Sequence, residues 1–533
     1  MTGRQRKQRR QVILVAEGLD ISQILEEGSK PLALYENAPD GFKQMQGSTR
    51  GFSECEIVSI NGSQITIEET EKTSTWDLMP IALIPPVPYN THAIQSVLRD
   101  NLGAQVLSRL TSNEPFPVAV WSDLLLKNPP RQISGQLSHT GDPVRDIVAS
   151  LRDSNSSYVA VQGPPGTGKT YVGGQVIAQL AKQGWRIGVV AQSHAVIENV
   201  LDRVHREEPS VPIGKKGQGD RVTRPYHVSD VADWLRTQQG GVVVGGTVWN
   251  FSAAKMQSQR FDLMVIDEAG QFSLTNALAV LSIADRGLFL GDPQQLPQVS
   301  QANHPEPVEV SVLGHILGEH PTIPEELGYF LGTTYRLHPA LTEPVSQLQY
   351  EGKLQAAPQC SERALAGIEP GLHIVEVDHI GNTLVSIEES DEIVKQIQSM
   401  IGISWSDVSN GQKLSPRPIE ERDILVVAAY NKQVRQLKTA LKAASLGEIK
   451  VGTFDKFQGQ EAPIVFVSMA TSSSEDLPRG IEFLLSPNRL NVAISRAMWV
   501  CYLYRSPQLS IMAPTTPDGM VMLGKFVSMC KWR

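Results

Sequence analysis

The sequence predicts an α/β protein with two parallel-sheet layers in tandem, preceded by a small β unit. From Tyr158 onward, short apolar strands alternate with helical patterns, and a proline-rich break near residues 304–326 separates a second block of the same kind. Strands of parallel sheets covered by helices on both faces read as near-continuous apolar runs of this type. The chain has 533 residues, too many for one ordinary core, so several structural units are expected.

The region before the first α/β block predicts the small β unit. In ECEIVSINGSQITIEE, two runs in which apolar and polar residues alternate lie on either side of Asn61-Gly62, a pair typical of a hairpin turn. The basic start, MTGRQRKQRR, is most simply a solvated tail, and less often a nucleic-acid-binding arm. We therefore predict a tail and N-terminal segment over 1–45, a β accessory domain over 46–90, and a helical stalk with a linker over 91–135.

Composition excludes several classes of protein. The formal net charge of -8 argues against a surface that is positively charged throughout. Any contact with nucleic acid must therefore come from a local groove. No apolar run approaches the length of a membrane span and no secretory signal follows the basic start, which predicts a cytoplasmic protein without a membrane partner. Scattered cysteines without a C-x-x-C pair disfavour a structural zinc module. They are Cys55, Cys360, Cys501 and Cys530.

The motif GPPGTGKT lies directly after the apolar run YVAVQ and before an amphipathic helical pattern. Its glycines let successive backbone N–H groups face one point, and with the helix N-terminus these groups form a nest for phosphate oxygens. Lys169 would reach the β- and γ-phosphates, and the Thr170 hydroxyl would ligate Mg²⁺. The residues predicted to hold ATP here are Gly163, Pro164, Pro165, Gly166, Thr167, Gly168, Lys169 and Thr170.

Two further strands predict polar groups at the same sheet edge. The run FDLMVIDEAGQ delivers Asp267, which would hold the metal, and Glu268, which would polarise an attacking water as general base. After GLFLG, Gln295 is placed to reach a γ-phosphate, whereas Asp292 would fix the loop. A purely structural turn is the competing interpretation of this second strand end.

A P-loop followed by an acidic strand leaves kinases, GTPases and transport ATPases open, although no N-K-x-D segment of guanine-nucleotide proteins is present. The residues of these motifs and their order along the chain resemble those of superfamily 1 helicases, in the branch of the nonsense-mediated-decay helicase and its bacterial relatives. The resemblance runs from GPPGTGKT through VVAQSHAVIENV, GGTVWNF, DEAGQ, GDPQQLP, TTYRLHP, AAYNKQ, VGTFDKFQGQE and RLNVAISRA. It is closest to the helicase half of bacterial proteins that join such a motor to a RecB-like nuclease, but no nuclease constellation precedes the motor here.

The resemblance implies two RecA-like P-loop NTPase domains, over 136–325 and 326–533. It makes Arg336 and Arg496 arginine fingers that reach a phosphate held by the first domain. It also places Gly459 and Glu461 at the nucleotide. Tyr430 either stacks on the base, as an aromatic residue does in relatives, or is an ordinary tyrosine at a strand end. In relatives a glutamine upstream of the P-loop reads the adenine edge, whereas Gly141 and Asp142 stand there, which weakens the expected selectivity for adenine.

The same resemblance predicts a nucleic-acid track across the tops of both sheets, formed by Ser193, His194, Thr247, Thr453 and Asp455. Short hydroxyl side chains and helix N-termini grip phosphates without reading sequence. Trp249 and Phe454 are either stacking platforms or core residues. Arg489, which shares a helical face with Arg496, is expected to pack or form a salt bridge.

These features together predict an ATP- and Mg²⁺-dependent helicase or translocase that acts as a monomeric motor. By resemblance it would move 5′ to 3′ along single-stranded nucleic acid, DNA or RNA, with a nuclease or repair protein as a possible partner. An ATPase switch that remodels protein–nucleic-acid complexes without unwinding would use the same site. A binding module with a degenerate site is disfavoured because Lys169, Asp267, Glu268, Gln295, Arg336 and Arg496 are all present.

Overall fold

The computed structural model divides the chain into two compact units, Met1–Asn90 and Thr91–Arg533. It describes residues 8–15, 27–39, 42–44, 48–61, 63–71, 77–85, 90–217, 224–298, 304–305, 307–409, 411–457, 459–473, 480–511, 514 and 516–531.

The first unit is an antiparallel β-sheet in the order β1-β5-β4-β2-β6, with β3 paired to β4. Its strands are β1 Gln8–Val15, β2 Leu32–Tyr35, β3 Lys43–Gln44, β4 Gly51–Asn61, β5 Gln64–Glu71 and β6 Ala82–Ile84. The predicted hairpin is confirmed, because β4 and β5 pair up to Asn61 opposite Gln64. Its turn residue Gly62 lies outside the described residues.

Strand β1 corrects the predicted boundary between tail and β unit. Residues 8–10 of the basic start belong to β1, which pairs with β5 along its whole length. Val12 enters the core of the unit, and Arg10 donates to buried Glu69 at 2.8 Å and to the hydroxyl of Tyr35 at 2.7 Å. The alternation of apolar residues after Arg10 and this buried ion pair explain why the segment is a strand; residues 1–7 lie outside the described part.

The helices of the second unit occur in the order expected for alternating α/β layers. They are α1 His92–Ser96, α2 Ala104–Ser112, α3 Val120–Leu126, α4 Pro143–Asp153, α5 Lys169–Lys182, α6 His194–Glu207, α7 Val231–Thr237, α8 Val248–Ser252, α9 Ala254–Gln257, α10 Leu274–Leu281, α11 Val312–Leu317, α12 Pro339–Gln349, α13 Ile387–Met400, α14 Asn431–Ala443, α15 Ile481–Leu484, α16 Pro487–Ile494 and α17 Pro517–Cys530. A π-helical segment, Val97–Gly103, joins α1 to α2, and short 3-10 turns lie at Pro358–Glu362, Glu421–Asp423, Phe454–Phe457 and Pro507–Ser510. None of the described helices is long and apolar enough to span a bilayer.

The first lobe of this unit is built on an eight-stranded parallel sheet in the order β10-β9-β11-β8-β12-β13-β7-β14. Its strands are β7 Tyr158–Gln162, β8 Arg186–Val190, β9 Ile213–Lys216, β10 His227–Val228, β11 Val242–Gly246, β12 Leu263–Asp267, β13 Gly287–Gly291 and β14 Gly328–Phe330. Alternate residues of β7 enter different cores: Tyr158 and Ala160 pack on one face, Val159 and Val161 on the other. Helices cover both faces, as the apolar runs predict.

The second lobe repeats this plan with a five-stranded parallel sheet in the order β18-β26-β25-β23-β24. Its remaining strands form small side sheets. In chain order the strands are β15 Thr333–Thr334, β16 Gln355–Ala356, β17 Ala364–Leu365, β18 Gly371–Glu376, β19 Ser404–Ser406, β20 Val408–Ser409, β21 Gln412–Lys413, β22 Arg417–Pro418, β23 Ile424–Ala428, β24 Lys450–Thr453, β25 Ala462–Ser468 and β26 Ala497–Arg505. The boundary between the lobes lies later than the predicted residue 325, since β14 pairs with β7 of the first sheet.

Candidate nucleotide-binding cleft

A cavity of about 700 Å³ opens between the two lobes, at the carboxyl ends of the first lobe's strands. This is the edge at which open parallel sheets bind ligands. The lining residues from the first lobe are Pro165, Gly166, Thr167, Gly168, Lys169, Thr170, Tyr171, Gln192, Ser193, Ala195, Val196, Asn199, Asp267, Glu268, Gln271 and Gln295. Those from the second are Arg336, Gly459, Gln460 and Arg496. The fold thus brings most of the predicted nucleotide residues into one place.

The glycine-rich turn after β7 curls around the Lys169 side chain. Lys169 Nζ donates to the carbonyl of Gly163 at 2.6 Å, and a Cβ on Gly163 would lie 2.3 Å from Lys169 Cγ. Gly166 and Gly168 have φ of 75° and 81°, in the left-handed region that favours glycine. Helix α5 begins at Lys169, so its free N–H groups and the lysine face the cleft together.

The acidic end of β12 places two carboxylates side by side in the cleft. Asp267 is buried, and its Oδ1 accepts a hydrogen bond of 3.0 Å from the backbone N–H of Glu268. Glu268 has a φ of 54°, a left-handed conformation that costs a residue with a side chain about 1–2 kcal/mol. Burial and the Glu268 carboxylate raise the pKa of Asp267, whereas Lys169 lowers it. Two acids confined in this way favour a cation beside them.

The donor set fits Mg²⁺. Thr170 and Asp267 line the same cavity and offer a hydroxyl and a carboxylate, the hard oxygen ligands that this ion prefers. Within the described ranges no cluster of three or more His, Cys, Asp or Glu side chains forms a closed metal cage. Mg²⁺ bound with substrate phosphates characteristically takes only one or two protein carboxylates and completes its shell with phosphate and water oxygens.

Arg336 is fixed against the glycine-rich turn by backbone contacts. The N–H of Tyr335 donates to the carbonyl of Gly166 at 2.9 Å, and Thr334 Oγ1 donates to the carbonyl of Pro165 at 2.8 Å. The Arg336 side chain donates to Glu461 at 2.5 Å and to the carbonyl of Ser495 at 3.2 Å. The segment that carries this arginine therefore touches both lobes, and Glu461 lies behind the arginine instead of lining the cavity.

Arg496 follows the end of α16 and is only 2% exposed, yet it lines the cleft. Its Nε donates to the carbonyl of Val492 at 2.9 Å, and Nη1 donates to those of Phe457 and Gln460 at 3.3 and 3.2 Å. Burial and then repulsion by Arg336 lower the pKa of Arg496 to about 9. Two guanidinium groups held this close favour an anion beside them.

Arg489, in contrast, lies over the Phe483 ring at 4.0 Å and does not line the cleft. It also donates to the carbonyl of Phe483 at 3.2 Å. Its expected packing role agrees with this position, although the helix ends at Ile494, so the two arginines do not share one continuous helical face.

Gln295 lines the cleft from the loop after β13, and its Nε2 donates to Asp292 at 2.9 Å. Asp292 is buried and also accepts from the backbone N–H of Gln294 at 3.1 Å. The loop-fixing role expected for Asp292 therefore matches its contacts.

Tyr430 does not fit the predicted role in base stacking. Its ring is buried in the second lobe's core and stacks on Phe483, with 5.6 Å between ring centroids. It is not among the residues that line the cleft. Apolar neighbours on α15 offer its ring a packed site, which the sequence motif alone did not reveal. Gly459 does line the cleft, with a φ of 79°.

The predicted track residues follow the carboxyl ends of strands or begin helices. Ser193 caps α6, accepting from the N–H of Val196 at 3.2 Å, and it lines the nucleotide cleft instead of a separate surface. Thr247 precedes α8 and donates to Asn250 at 3.0 Å. The others are His194, Thr453 and Asp455, at the start of α6, the end of β24 and in the following 3-10 turn.

Of the two aromatic residues left open between stacking and packing, Phe454 is buried in the second core. Trp249 is 39% exposed beside α8. Burial therefore settles Phe454 as a core residue, while stacking by Trp249 stays a prediction.

Sequence motifs did not identify every residue that shapes the site. Buried Arg363 donates to the backbone carbonyls of Tyr335, at 3.1 Å, and Arg336, and it pairs with Asp407 at 2.8 Å. It thereby fixes the backbone of the first arginine finger. Four further residues line the cleft although no role was predicted for them within their motifs: Gln192, Asn199, Gln271 and Gln460. Arg363 lies outside any motif, so only the three-dimensional contact reveals its role.

Two AAA domain families match the chain, one over residues 144–307 and the other over residues 308–504. The boundary between the two matches, at residues 307/308, falls within the first lobe, before strand β14. Together they cover the glycine-rich turn, the acidic strand and both arginines.

Curated relatives include the chicken DNA replication ATP-dependent helicase/nuclease DNA2, 24% identical over 416 residues, or 73% of this chain and 40% of that protein. The DNA polymerase alpha-associated DNA helicase A of Schizosaccharomyces pombe is 26% identical, covering 66% of this chain and 62% of that protein. Rat DNA-binding protein SMUBP-2 is 23% identical, covering 67% and 42%. The chain therefore spans less than two thirds of the length of each of these relatives.

Among solved structures, arterivirus nonstructural protein 10 (helicase) in complex with DNA aligns at a TM-score of 0.41 with 13% identity, covering 94% of this chain and 80% of that one. The two AAA matches and the relatives agree with the order of motifs and with the paired lobes around one cleft: the chain belongs to the superfamily 1 helicases of the DNA2-like type.

Proposed function

We propose that this chain is an ATP-hydrolysing, Mg²⁺-dependent nucleic-acid helicase. The observation that carries the proposal is the pairing of like charges from different parts of the fold around one cavity. Asp267 and Glu268 meet on the first lobe, and Arg336 and Arg496 meet on the second. Each pair repels itself, and a magnesium-bound triphosphate supplies the opposite charge to both at once.

Each polar group then has a defined task. The glycine-rich turn and Lys169 would bind the β- and γ-phosphates, and Thr170 with Asp267 would hold Mg²⁺, which neutralises phosphate charge when bound. Glu268 would accept the proton of the attacking water. Gln295 lies where it would orient that water or contact the γ-phosphate.

The arginines would stabilise the charge that develops as the terminal phosphate leaves. Such fingers contribute roughly 10³–10⁵ to the rate, which corresponds to about 4–7 kcal/mol of barrier. Because Arg496 belongs to the second lobe and the phosphates to the first, nucleotide state would control the separation of the lobes. This coupling is the proposed source of movement along a strand.

The proposed partner is single-stranded nucleic acid gripped through its phosphates at the strand ends that carry Thr247 and Thr453. The relatives are named as DNA helicases, which favours DNA over RNA. We further propose movement in the 5′ to 3′ direction and a role for the β unit as a wedge or clamp, both from the family resemblance.

The test is a strand-displacement assay run beside an ATPase assay, with ATP and Mg²⁺. Partial duplexes of DNA and of RNA carry a single-stranded overhang at either the 5′ or the 3′ end. We expect DNA-stimulated hydrolysis, loss of both hydrolysis and displacement on chelation of Mg²⁺, and displacement of the duplex with a 5′ overhang. Hydrolysis that no nucleic acid stimulates would overturn the proposal.

A second candidate function is an ATPase switch that remodels protein–nucleic-acid complexes without unwinding. It is favoured by the same cleft, which contains nothing that separates the two activities. Stimulated hydrolysis without displacement of any overhang duplex, together with release of a bound protein from the strand, would identify the switch.

A further inference from the structure

A buried polar network joins the Gln295 loop of the first lobe to two helices of the second. At the end of β13, Asp292 Oδ2 accepts hydrogen bonds from Gln295 Nε2 at 2.9 Å and from the Tyr350 hydroxyl at 2.7 Å. All three residues are buried, and Tyr350 is fully so. One carboxylate oxygen therefore links a cleft residue to a tyrosine of the other lobe.

Two asparagines of α16 extend the network. Asn491 Nδ2 donates to the Tyr350 hydroxyl and to the carbonyl of Gln294, each at 2.8 Å. Asn488 Nδ2 donates to the carbonyls of Pro293 at 3.1 Å and Gln295 at 2.7 Å. The two asparagines are three residues apart and so face the same side of the helix. They hold consecutive carbonyls of the loop that carries Gln295.

The helices in this network are the ones adjacent to the arginine fingers. Tyr350 directly follows α12, whose start at Pro339 lies three positions after Arg336. Asn491 lies in α16, and Arg496 follows that helix and donates back to its Val492 carbonyl. A shift of the loop after β13 is thus connected through hydrogen bonds to the segments bearing both arginines.

We propose that Asp292, Tyr350 and Asn491 form an interlobe latch that positions Gln295 and the arginine fingers together for hydrolysis. The proposal rests on the proposed ATPase function and deepens it by naming positioning residues. The latch residues do not line the cleft themselves and act through Gln295 and Arg496. Contact with a terminal phosphate at Gln295 is thereby transmitted to the second lobe.

The chemistry of the tyrosine suits such a latch. Burial and the Asp292 carboxylate raise the pKa of Tyr350 well above its ordinary value, so the hydroxyl keeps its proton and donates it to Asp292. The same oxygen can then accept from Asn491. Removing this one hydroxyl breaks both contacts while leaving the aromatic ring packed near Phe330.

The decisive variant is Tyr350→Phe in the full chain, with Tyr504→Phe as the matched control. Tyr504 is another buried tyrosine of the second lobe, and its hydroxyl hydrogen-bonds to Gln396, which does not line the cleft. A hydrogen bond to a charged group is lost in Tyr350→Phe, so we expect kcat for ATP with saturating single-stranded DNA to fall roughly ten- to hundredfold. The KM for ATP and the thermal midpoint should match those of the control. Asn491→Ala should lower kcat similarly, and the double variant should be no worse than the poorer single one.

The outcomes separate failure of the latch from failure of the proposed function. A wild-type chain without DNA-stimulated ATPase would overturn the proposed function itself. With an active wild type, unchanged kcat in Tyr350→Phe would overturn the latch. A fall in kcat that merely follows a lower thermal midpoint, or strictly multiplicative effects in the double variant, would also overturn it, because a structural hydroxyl would behave in that way.

Discussion

At the scale of single residues, Glu268 is the group whose chemistry and conformation are most specialised. It lines the cleft beside Asp267 with a left-handed backbone, a conformation that proteins retain mainly where a side chain must be aimed. The backbone of Glu268 also donates to Asp267, so the two acids are held in a fixed relation. The strained backbone and the pairing with Asp267 hold Glu268 at the cleft, where we propose that its carboxylate accepts the proton of the attacking water.

We predict that Glu268→Gln retains ATP binding and loses hydrolysis. The amide occupies the same space and cannot accept a proton, and loss of a general base typically costs roughly 10²–10⁴ in rate. Single-turnover hydrolysis and binding of a fluorescent ATP analogue measure the two quantities. Glu351→Gln is the matched control, since Glu351 has the same φ of 54° but does not line the cleft. Comparable losses in both variants would show that backbone strain, and not proton transfer, explains the effect.

Residues also show where sequence reasoning reached its limit. Lys169, Asp267 and Arg496 were predicted because a charged residue at a fixed position in a motif has few structural alternatives. The stacking role predicted for Tyr430 does not match its position, because an aromatic ring can pack in a core as readily as it stacks on a base. Its stacking partner in the core, Phe483, lies 53 positions later in the chain. No sequence pattern predicts the role of Arg363, because this residue belongs to no motif and contacts the backbone of Arg336.

At the scale of elements, the close approach of the glycine-rich turn to β15 determines where the first arginine lies. A Cβ on Gly166 would lie 2.4 Å from Arg336 Cβ and 2.6 Å from Thr334 Oγ1. The absence of a side chain therefore lets the Arg336 segment rest directly on the phosphate-binding turn. Gly166 consequently allows the conformation of the phosphate-binding turn in the first lobe and also leaves room for the Arg336 segment of the second lobe.

We predict that Gly166→Ala lowers ATP turnover more than backbone strain alone would require, because Arg336 must move. Gly184→Ala is the control: Gly184 also has a positive φ, of 98°, but a Cβ there meets nothing within 4 Å. Both variants should lose about 1 kcal/mol or more of stability, measured by urea unfolding. Only Gly166→Ala should lose most of its turnover per folded molecule. Equal turnover in the two variants would contradict the proposed contact.

The ends of strands supply the second prediction at this scale. Thr453 closes β24 and is partly exposed, so Thr453→Ala should weaken binding of single-stranded DNA with little effect on ATP affinity. Fluorescence anisotropy at two salt concentrations measures the strand affinity, which should fall as salt rises in the wild type. Thr439→Ala, on the exposed face of α14, is the control. Weaker ATP binding with normal strand binding would count against this placement.

The order of elements was predictable from apolar periodicity, since strands and helices alternate in both blocks as expected. Tyr158–Gln162 and Ile424–Ala428 are short, wholly apolar or nearly so and flanked by turns, which leaves few alternatives to a buried parallel strand. Strand β1 was less predictable, because its basic residues hide the alternation and Arg10 is neutralised by Glu69, a partner 59 positions away. The spacing of apolar residues predicts local secondary structure and does not predict ion pairs between residues so far apart in the chain.

At the scale of the whole molecule, two similar lobes enclose one cavity: the first contributes two acids and a lysine, and the second contributes two arginines. The pairing of the lobes followed from the repeated α/β pattern. Their relative placement did not, because contacts such as Tyr350 with Asp292 join residues from different sheets. A motor of this design requires that the two lobes hold the same triphosphate.

The most direct measurement is ATP hydrolysis and ATP binding by Arg496→Ala beside Lys169→Ala, with saturating single-stranded DNA. We expect Arg496→Ala to bind ATP almost normally and to lose turnover by roughly 10³–10⁵, and Arg496→Lys to recover little because it lacks the forked donors. Lys169→Ala should instead lose affinity for the phosphates themselves. Arg489→Ala, in helix α16, which precedes Arg496, but outside the cleft, should keep most of its activity. Near-normal turnover in Arg496→Ala would contradict a nucleotide shared between the lobes.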